Sequence, residues 1–135
     1  MDCRNIRKKV KKPLQSFKDK RGSIIDIFYK KKIDHVAIID SKPNALRGNH
    51  YHKKTTQHML ITEGSLEYWY KPLKKNVKVK KKILKVGDLV STPPYEIHAL
   101  KISKKGNQFI VFSEGLRGGK DYEADTFRVP SIMND

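Results

Sequence analysis

Three histidines and a glutamine carry the chemistry in this sequence. His50 and His52 are two residues apart in the run Arg47-Gly48-Asn49-His50-Tyr51-His52-Lys53-Lys54-Thr55-Thr56-Gln57. His98 closes a second run that starts at Gly87-Asp88 and passes through Pro93, Pro94 and Tyr95. Residues two apart on a strand project to the same face, so His50 and His52 point the same way, and a neighbouring strand can bring Gln57 and His98 beside them. Convergent imidazoles suit two kinds of chemistry. With pKa values near neutrality they take and return protons. As neutral ligands they hold one divalent transition metal such as Zn, Fe, Mn or Ni, with Gln57 as a carbonyl-oxygen donor weaker than carboxylate. His35 and His58 stand outside this spacing and read as ordinary polar side chains.

The elements that position these residues read as strands. Short β-rich runs occur at residues 24–29, 35–39, 57–62, 66–70, 77–84, 88–92, 97–102 and 108–112, and no run keeps an apolar helical stripe over ten or more residues. Glu63-Gly64 predicts a hairpin turn, with Leu66, Tyr68 and Tyr70 on one face of the following strand and Glu67 and Trp69 on the other. Turns at Gly48, Gly64, Gly87 and Gly106 complete the pattern of an all-β sandwich or barrel. A chain of 135 residues makes one domain around one core. The basic leader, 1–13, and the tail, 130–135, are expected to fray.

Composition narrows the function classes. Charged residues make up 33% and the formal net charge is +16, but 37% hydrophobic residues with interspersed aromatics exclude a disordered chain. Only six of the 30 basic residues are arginine. Lysine runs solvate surfaces and blunt strand edges, and their field draws in anionic small molecules. No helix-turn-helix pattern, zinc-finger spacing or aromatic RNA-binding signature accompanies them, so nucleic acid is not an expected partner. The single Cys3 excludes an intrachain disulfide, and no stretch approaches the ~20 apolar residues of a bilayer span, which makes a cytoplasmic protein the expectation.

The spacing also carries a family resemblance. H-x-H, four residues, a polar position, six residues and Gly, occupied by His50, His52, Gln57 and Gly64, resembles the first cupin motif. Gly87, Pro93 and His98 resemble the second, with 22 residues between Gly64 and Gly87. The resemblance implies a double-stranded β-helix, or jelly roll, with the site in the barrel mouth. A narrower likeness lies on top. The run Phe17-Lys18-Asp19-Lys20-Arg21-Gly22 is similar to the F-x-D-x-R-G segment that opens the nucleotide-sugar branch of cupins, the 4-keto-6-deoxysugar 3,5-epimerases and 3,4-ketoisomerases. The R-G-x-H-x-H-K-x-x-x-Q pattern of the ketoisomerases is matched at every fixed position from Arg47 to Gln57, whereas the epimerase segment R-G-L-H-Y-Q is matched at four positions of six.

This likeness implies that His50 is a catalytic base with His52 as its partner in proton transfer, with no cofactor required. Arg21 and Arg47, helped by Lys53 and Gln57, would hold diphosphate or sugar oxygens, with Arg21 reaching into the neighbouring subunit of a homodimer. The proton donor on the other face of the sugar would be a tyrosine: Tyr51, Tyr68, Tyr70, Tyr95 or Tyr122, with Tyr95 favoured for its place beside His98. Two other readings use the same residues. One is a metal-dependent, dioxygenase-like cupin with His50, His52, Gln57 and His98 as ligands. The other is a sugar-binding cupin without catalysis. The acidic segment at 121–129 reads chiefly as packing for Phe127 and Val129, with a His-orienting carboxylate as the alternative.

Overall fold

A computed structural model gives the fold and describes residues 1–8, 10–115, 117–121 and 123–133. Ten strands follow one another: β1 (Asp2–Asn5), β2 (Ser16–Asp19), β3 (Gly22–Ile25), β4 (His35–Ser41), β5 (Leu46–Tyr51), β6 (Thr56–Pro72), β7 (Lys80–Lys85), β8 (Asp88–Thr92), β9 (Glu96–Glu114) and β10 (Phe127–Arg128). Among the described residues every pairing is antiparallel. Among the described residues no helix is long and apolar enough to cross a membrane.

Two long strands organise the barrel. β6 and β9 pair from Thr56↔Glu114 to Pro72↔Glu96. The first half of β6 also pairs with β8 and its second half with β7. The second half of β9 pairs with β4 and its first half with β5. Each long strand therefore serves two sheets, a jelly-roll arrangement that requires a corner in both at the same level. The corner lies where the register shifts between Ile61 and Leu66. There Gly64 has φ +71, and a Cβ on it would meet the Gly106 carbonyl oxygen at 2.5 Å, so the crossing backbones exclude a side chain.

The core fills the space between the sheets, as strand alternation requires. Leu66 and Tyr68 are buried while Glu67 and Trp69 are only half-buried, and Met59, Leu84 and Val90 close in from β6, β7 and β8. Burying each such aliphatic side chain is worth about 1.5–3 kcal/mol.

Two local expectations are corrected. The hairpin at Glu63-Gly64 is instead a bend in one continuous strand, because Glu63 and Gly64 stay in the ladder opposite Gln108 and Asn107. The runs at 97–102 and 108–112 likewise merge into β9, with Gly106 at its bend. Described parts of both terminal segments pair with or pack on the barrel. Residues 2–5 form β1 on the free edge of β8, and Ile132 is buried against Ile97 and Ala99 with its N–H donating to Asn49 Oδ1 at 2.9 Å. An open strand edge and an apolar patch recruit chain that composition alone marks as loose.

Candidate active site

The histidine trio is assembled by one strand pair and one loop. In the β5–β9 register His50 lies opposite His98, just past a bulge between Gly48 and His50. Gly48 has φ +86, and a Cβ there would fall 2.7 Å from the His98 carbonyl oxygen, so only glycine lets the strands approach. His52 follows the end of β5. Ring centroids stand 4.9 Å apart for His50 and His52, 4.7 Å for His50 and His98, and 5.3 Å for His52 and His98. One ligand nitrogen of each lies within 4.8 Å of the others.

Backbone carbonyls fix the tautomers. His52 Nδ1 donates to the Asp125 carbonyl at 2.7 Å and His98 Nδ1 donates to the Glu96 carbonyl at 3.2 Å. A carbonyl only accepts, so both rings carry hydrogen on Nδ1 and keep the Nε2 lone pair. His52 Nε2 faces the Gln57 carboxamide at 3.3 Å. Burial pushes the His50 pKa down to about 4, reinforced by His52, Arg117 and Arg128 and opposed by Glu123. Burial also lowers His52, against the bond to Asp125, and holds His98 well below the ordinary value, where His50 and His52 add to the effect. At neutral pH all three rings are free bases.

His50 and His98 border a cavity of about 560 Å³ inside the barrel. His50, His98, Arg47 and Gln57 supply polar wall, Leu100 and Phe109 apolar wall, and Arg117 and Arg128 also line it. Arg47 is oriented by Ser41 Oγ at 2.8 Å and the Asp40 carbonyl at 3.2 Å. The cavity thus has neutral bases on one wall and fixed positive charge around it.

Other expected site residues lie elsewhere. Tyr95, the favoured acid, lies outside the cavity lining: it is 51% exposed and stacked with Tyr51 at 6.4 Å. Its φ of 64 turns the backbone so that its N–H meets the His52 carbonyl, which directs the side chain outward. Tyr68 is fully buried with its hydroxyl against Thr92 Oγ1, and burial raises its pKa. Tyr51 packs on Phe127 and Tyr70 against Tyr68. Tyr122 lies outside the described residues. Among the described residues no tyrosine lines the cavity. Lys53 is not in the lining, and its Nζ sits over the Phe127 ring at 4.3 Å. Arg21 is 84% exposed on the β2–β3 hairpin and pairs with Asp19 at 2.8 Å.

The sequence reading gave no site role to Arg117, Arg128 or Ser113, and weighed Asp125 only within the acidic segment. Arg117 and Arg128 supply charge, and Asp125 holds His52 through its carbonyl and the loop before β6 through its carboxylate. Ser113 is buried in the cavity wall. The acidic segment was the visible signal for Asp125. Its side chain orients backbone amides, while its main chain orients the histidine. His58, expected to be an ordinary polar group, is buried and bonds Ser91 Oγ at 2.6 Å and Glu114 Oε2 at 2.7 Å, tying three strands together.

A bent-strand barrel with a histidine trio inside is a cupin-type fold. Residues 17–116 match the family described as polysaccharide biosynthesis C-terminal domain, and the chain belongs to that family. No curated protein sequence matches it. Among solved structures, the 3,4-ketoisomerase QdtA from Thermoanaerobacterium thermosaccharolyticum, as a variant in complex with TDP-4-keto-6-deoxyglucose, is similar at TM-score 0.66 and 19% identity, over 86% of this chain and 83% of that one. The dTDP-4-dehydrorhamnose 3,5-epimerase from Sulfolobus tokodaii is similar at TM-score 0.64 and 17% identity, over 82% and 70%. The capsular polysaccharide assembling protein CapF from Staphylococcus aureus is similar at TM-score 0.64 and 19% identity, covering 88% of this chain but 33% of CapF, so the chain spans a third of that protein.

Proposed function

We propose that the chain isomerises or epimerises a nucleotide-linked 4-keto-6-deoxyhexose by histidine-mediated enolisation, in the cytoplasmic synthesis of a surface polysaccharide. The observation that carries this reading is His50: a neutral imidazole on the cavity wall, its proton affinity depressed by burial and by nearby arginines. His50 takes the proton from the carbon next to the C4 ketone, and the released electron pair moves onto the ketone oxygen to give an enolate. To move the ketone, the C4 oxygen gains a proton and the C3 hydroxyl loses its own through the enediol, while C4 takes up a proton and the carbonyl forms at C3. Return of a proton to the original carbon from the opposite face instead restores the C4 ketone and inverts that carbon. His52, 4.9 Å from His50, is the partner base. Arg47, Arg117 and Arg128 bind the diphosphate, whose negative charge offsets the field that lowers the His50 pKa and so strengthens the base as substrate enters. Arg21, on its projecting hairpin, serves the cavity of a second copy in a homodimer.

The test is NMR of TDP-4-keto-6-deoxyglucose with the protein in D₂O. Loss of the C3 or C5 proton signal is expected. Binding without exchange would leave a sugar-binding protein.

A second reading has its own observation. The His52 and His98 Nδ1 bonds to carbonyls are the outer contacts that metal-ligating imidazoles use, and the ligand nitrogens of all three histidines converge within 4.8 Å. His50, His52 and His98 fit a divalent transition metal, with Gln57 as a neutral fourth donor. When bound, such an ion would supply Lewis acidity toward a carbonyl oxygen. Inductively coupled plasma mass spectrometry on untagged protein purified without added metal or chelator decides it. Near one equivalent of one metal, lost in His98→Ala, supports the metal site, and metal-free protein leaves His50 and His52 as bases.

A further inference from the structure

Two polar side chains in the cavity wall have no partner. Ser113 is 0% exposed, and its Oγ is buried without a hydrogen bond. His35 Nδ1 is likewise buried and unbonded. Both line the same cavity as His50 and His98. They stand directly opposite each other in the β4–β9 ladder. The Gly118 backbone closes over His35, because a Cβ at Gly118 would lie 3.0 Å from His35 Cδ2. Buried polar atoms are nearly always paired, so two orphans facing one another across adjacent strands in a ligand-sized cavity call for a cause. Packing does not supply it. An apolar side chain at either site would avoid the desolvation cost that each orphan carries.

We propose that His35 and Ser113 form a hydroxyl-binding subsite, completed when a ring hydroxyl of the hexose bonds both. A hydroxyl suits the pair because it donates to one and accepts from the other, and a serine hydroxyl and an imidazole can each take either role. The subsite uses other side chains than the arginines assigned to the diphosphate, and it lets the enzyme select a hexose by the presence and position of one hydroxyl. A site with buried hydrogen-bonding groups rejects an analogue lacking the matching hydroxyl more strongly than an apolar pocket rejects a missing methylene. This inference rests on the nucleotide-sugar reading.

Isothermal titration calorimetry with two probes separates the two. TDP presents the diphosphate without the hexose, and TDP-4-keto-6-deoxyglucose presents both. Ser113→Ala and His35→Leu are expected to weaken the hexose nucleotide at least about tenfold and leave TDP affinity unchanged. His35→Asn, which keeps a polar atom near the Nδ1 position, is expected to recover part of the loss. Thermal unfolding supplies a readout that a structural serine would not give. Ser113→Ala removes an unsatisfied buried hydroxyl, so its Tm should equal or exceed that of the unaltered protein. Equal losses for both probes, no loss for either, or a lowered Tm in Ser113→Ala overturns the subsite. Failure of the unaltered protein to bind either probe overturns the nucleotide-sugar reading and the subsite with it.

Discussion

His50→Asn is expected to slow solvent exchange at C3 or C5 of TDP-4-keto-6-deoxyglucose by roughly 10²–10⁴-fold, the range a positioned general base contributes. Affinity for TDP should be little changed, since the arginines do not depend on this ring. Asparagine keeps a polar group near the Nδ1 position but cannot take a proton at neutral pH. The pH profile gives an independent check. With a pKa of about 4, His50 is already a free base across neutral pH in the empty site. The free-enzyme kcat/KM for exchange should therefore be flat from about pH 8 to pH 5 and fall as pH drops through 4. Stability follows with a definite sign. The folded pKa lies below the 6.5 ordinary for a histidine in an unfolded chain, so between these values the unfolded state binds more protons. The contribution of neutral His50 is complete above pH 6.5 and is lost as pH falls toward 4. His52 and His98 are shifted in the same direction and steepen the loss. An exchange rate that survives His50→Asn, measured by NMR with the variant folded, would remove His50 as the base.

Much of this site was readable from local spacing, and what escaped did so for a physical reason. His50 and His98 are opposite in register because each sits on a strand, and the period of two together with Gly48 announced the first of these. The strand faces of Leu66, Tyr68, Glu67 and Trp69 were legible from the same alternation. The bend at Gly64 was not. A glycine with positive φ serves a hairpin or a bulge equally well, and only the partners 43 or 45 residues downstream, Asn107 and Gln108, decide between them. Arg117 and Arg128 escaped because their approach to His50 follows from the return of the C-terminal segment across the barrel, and β10 is only two residues long. Tyr95 misled because adjacency to His98 in sequence does not survive a residue with φ 64, which turns its side chain away from the strand that follows.

The second large effect is expected outside the cavity, at Asp125. Its carboxylate accepts hydrogen bonds from the backbone N–H of Lys53, Lys54 and Thr55 and from Thr55 Oγ1, all at 2.9 Å. That single side chain thus holds the loop leading from His52 into β6, while its own carbonyl fixes the His52 tautomer. Asp125→Ala removes all four bonds. Water replaces some partners at this half-buried position, but Thr55 is 2% exposed and its N–H loses its acceptor. A loss of about 2–4 kcal/mol is expected, against a net 0.5–1.5 for a typical bond and more for one to a charged acceptor. Burial tends to raise the carboxyl pKa, yet the bonds from Lys53, Lys54 and Thr55 together outweigh it and hold the group below its ordinary 3.8. A depressed folded pKa means that the stabilisation is present above that value and is lost as pH falls through the folded pKa. The Tm difference between the unaltered protein and Asp125→Ala should therefore be widest near pH 7 and narrow below about pH 4. Exchange activity should fall as well, because a loosened segment frees His52 to change tautomer, and Asp125→Asn should sit between the two by keeping one acceptor oxygen. Equal Tm values at pH 7 would show that the loop stands without this carboxylate.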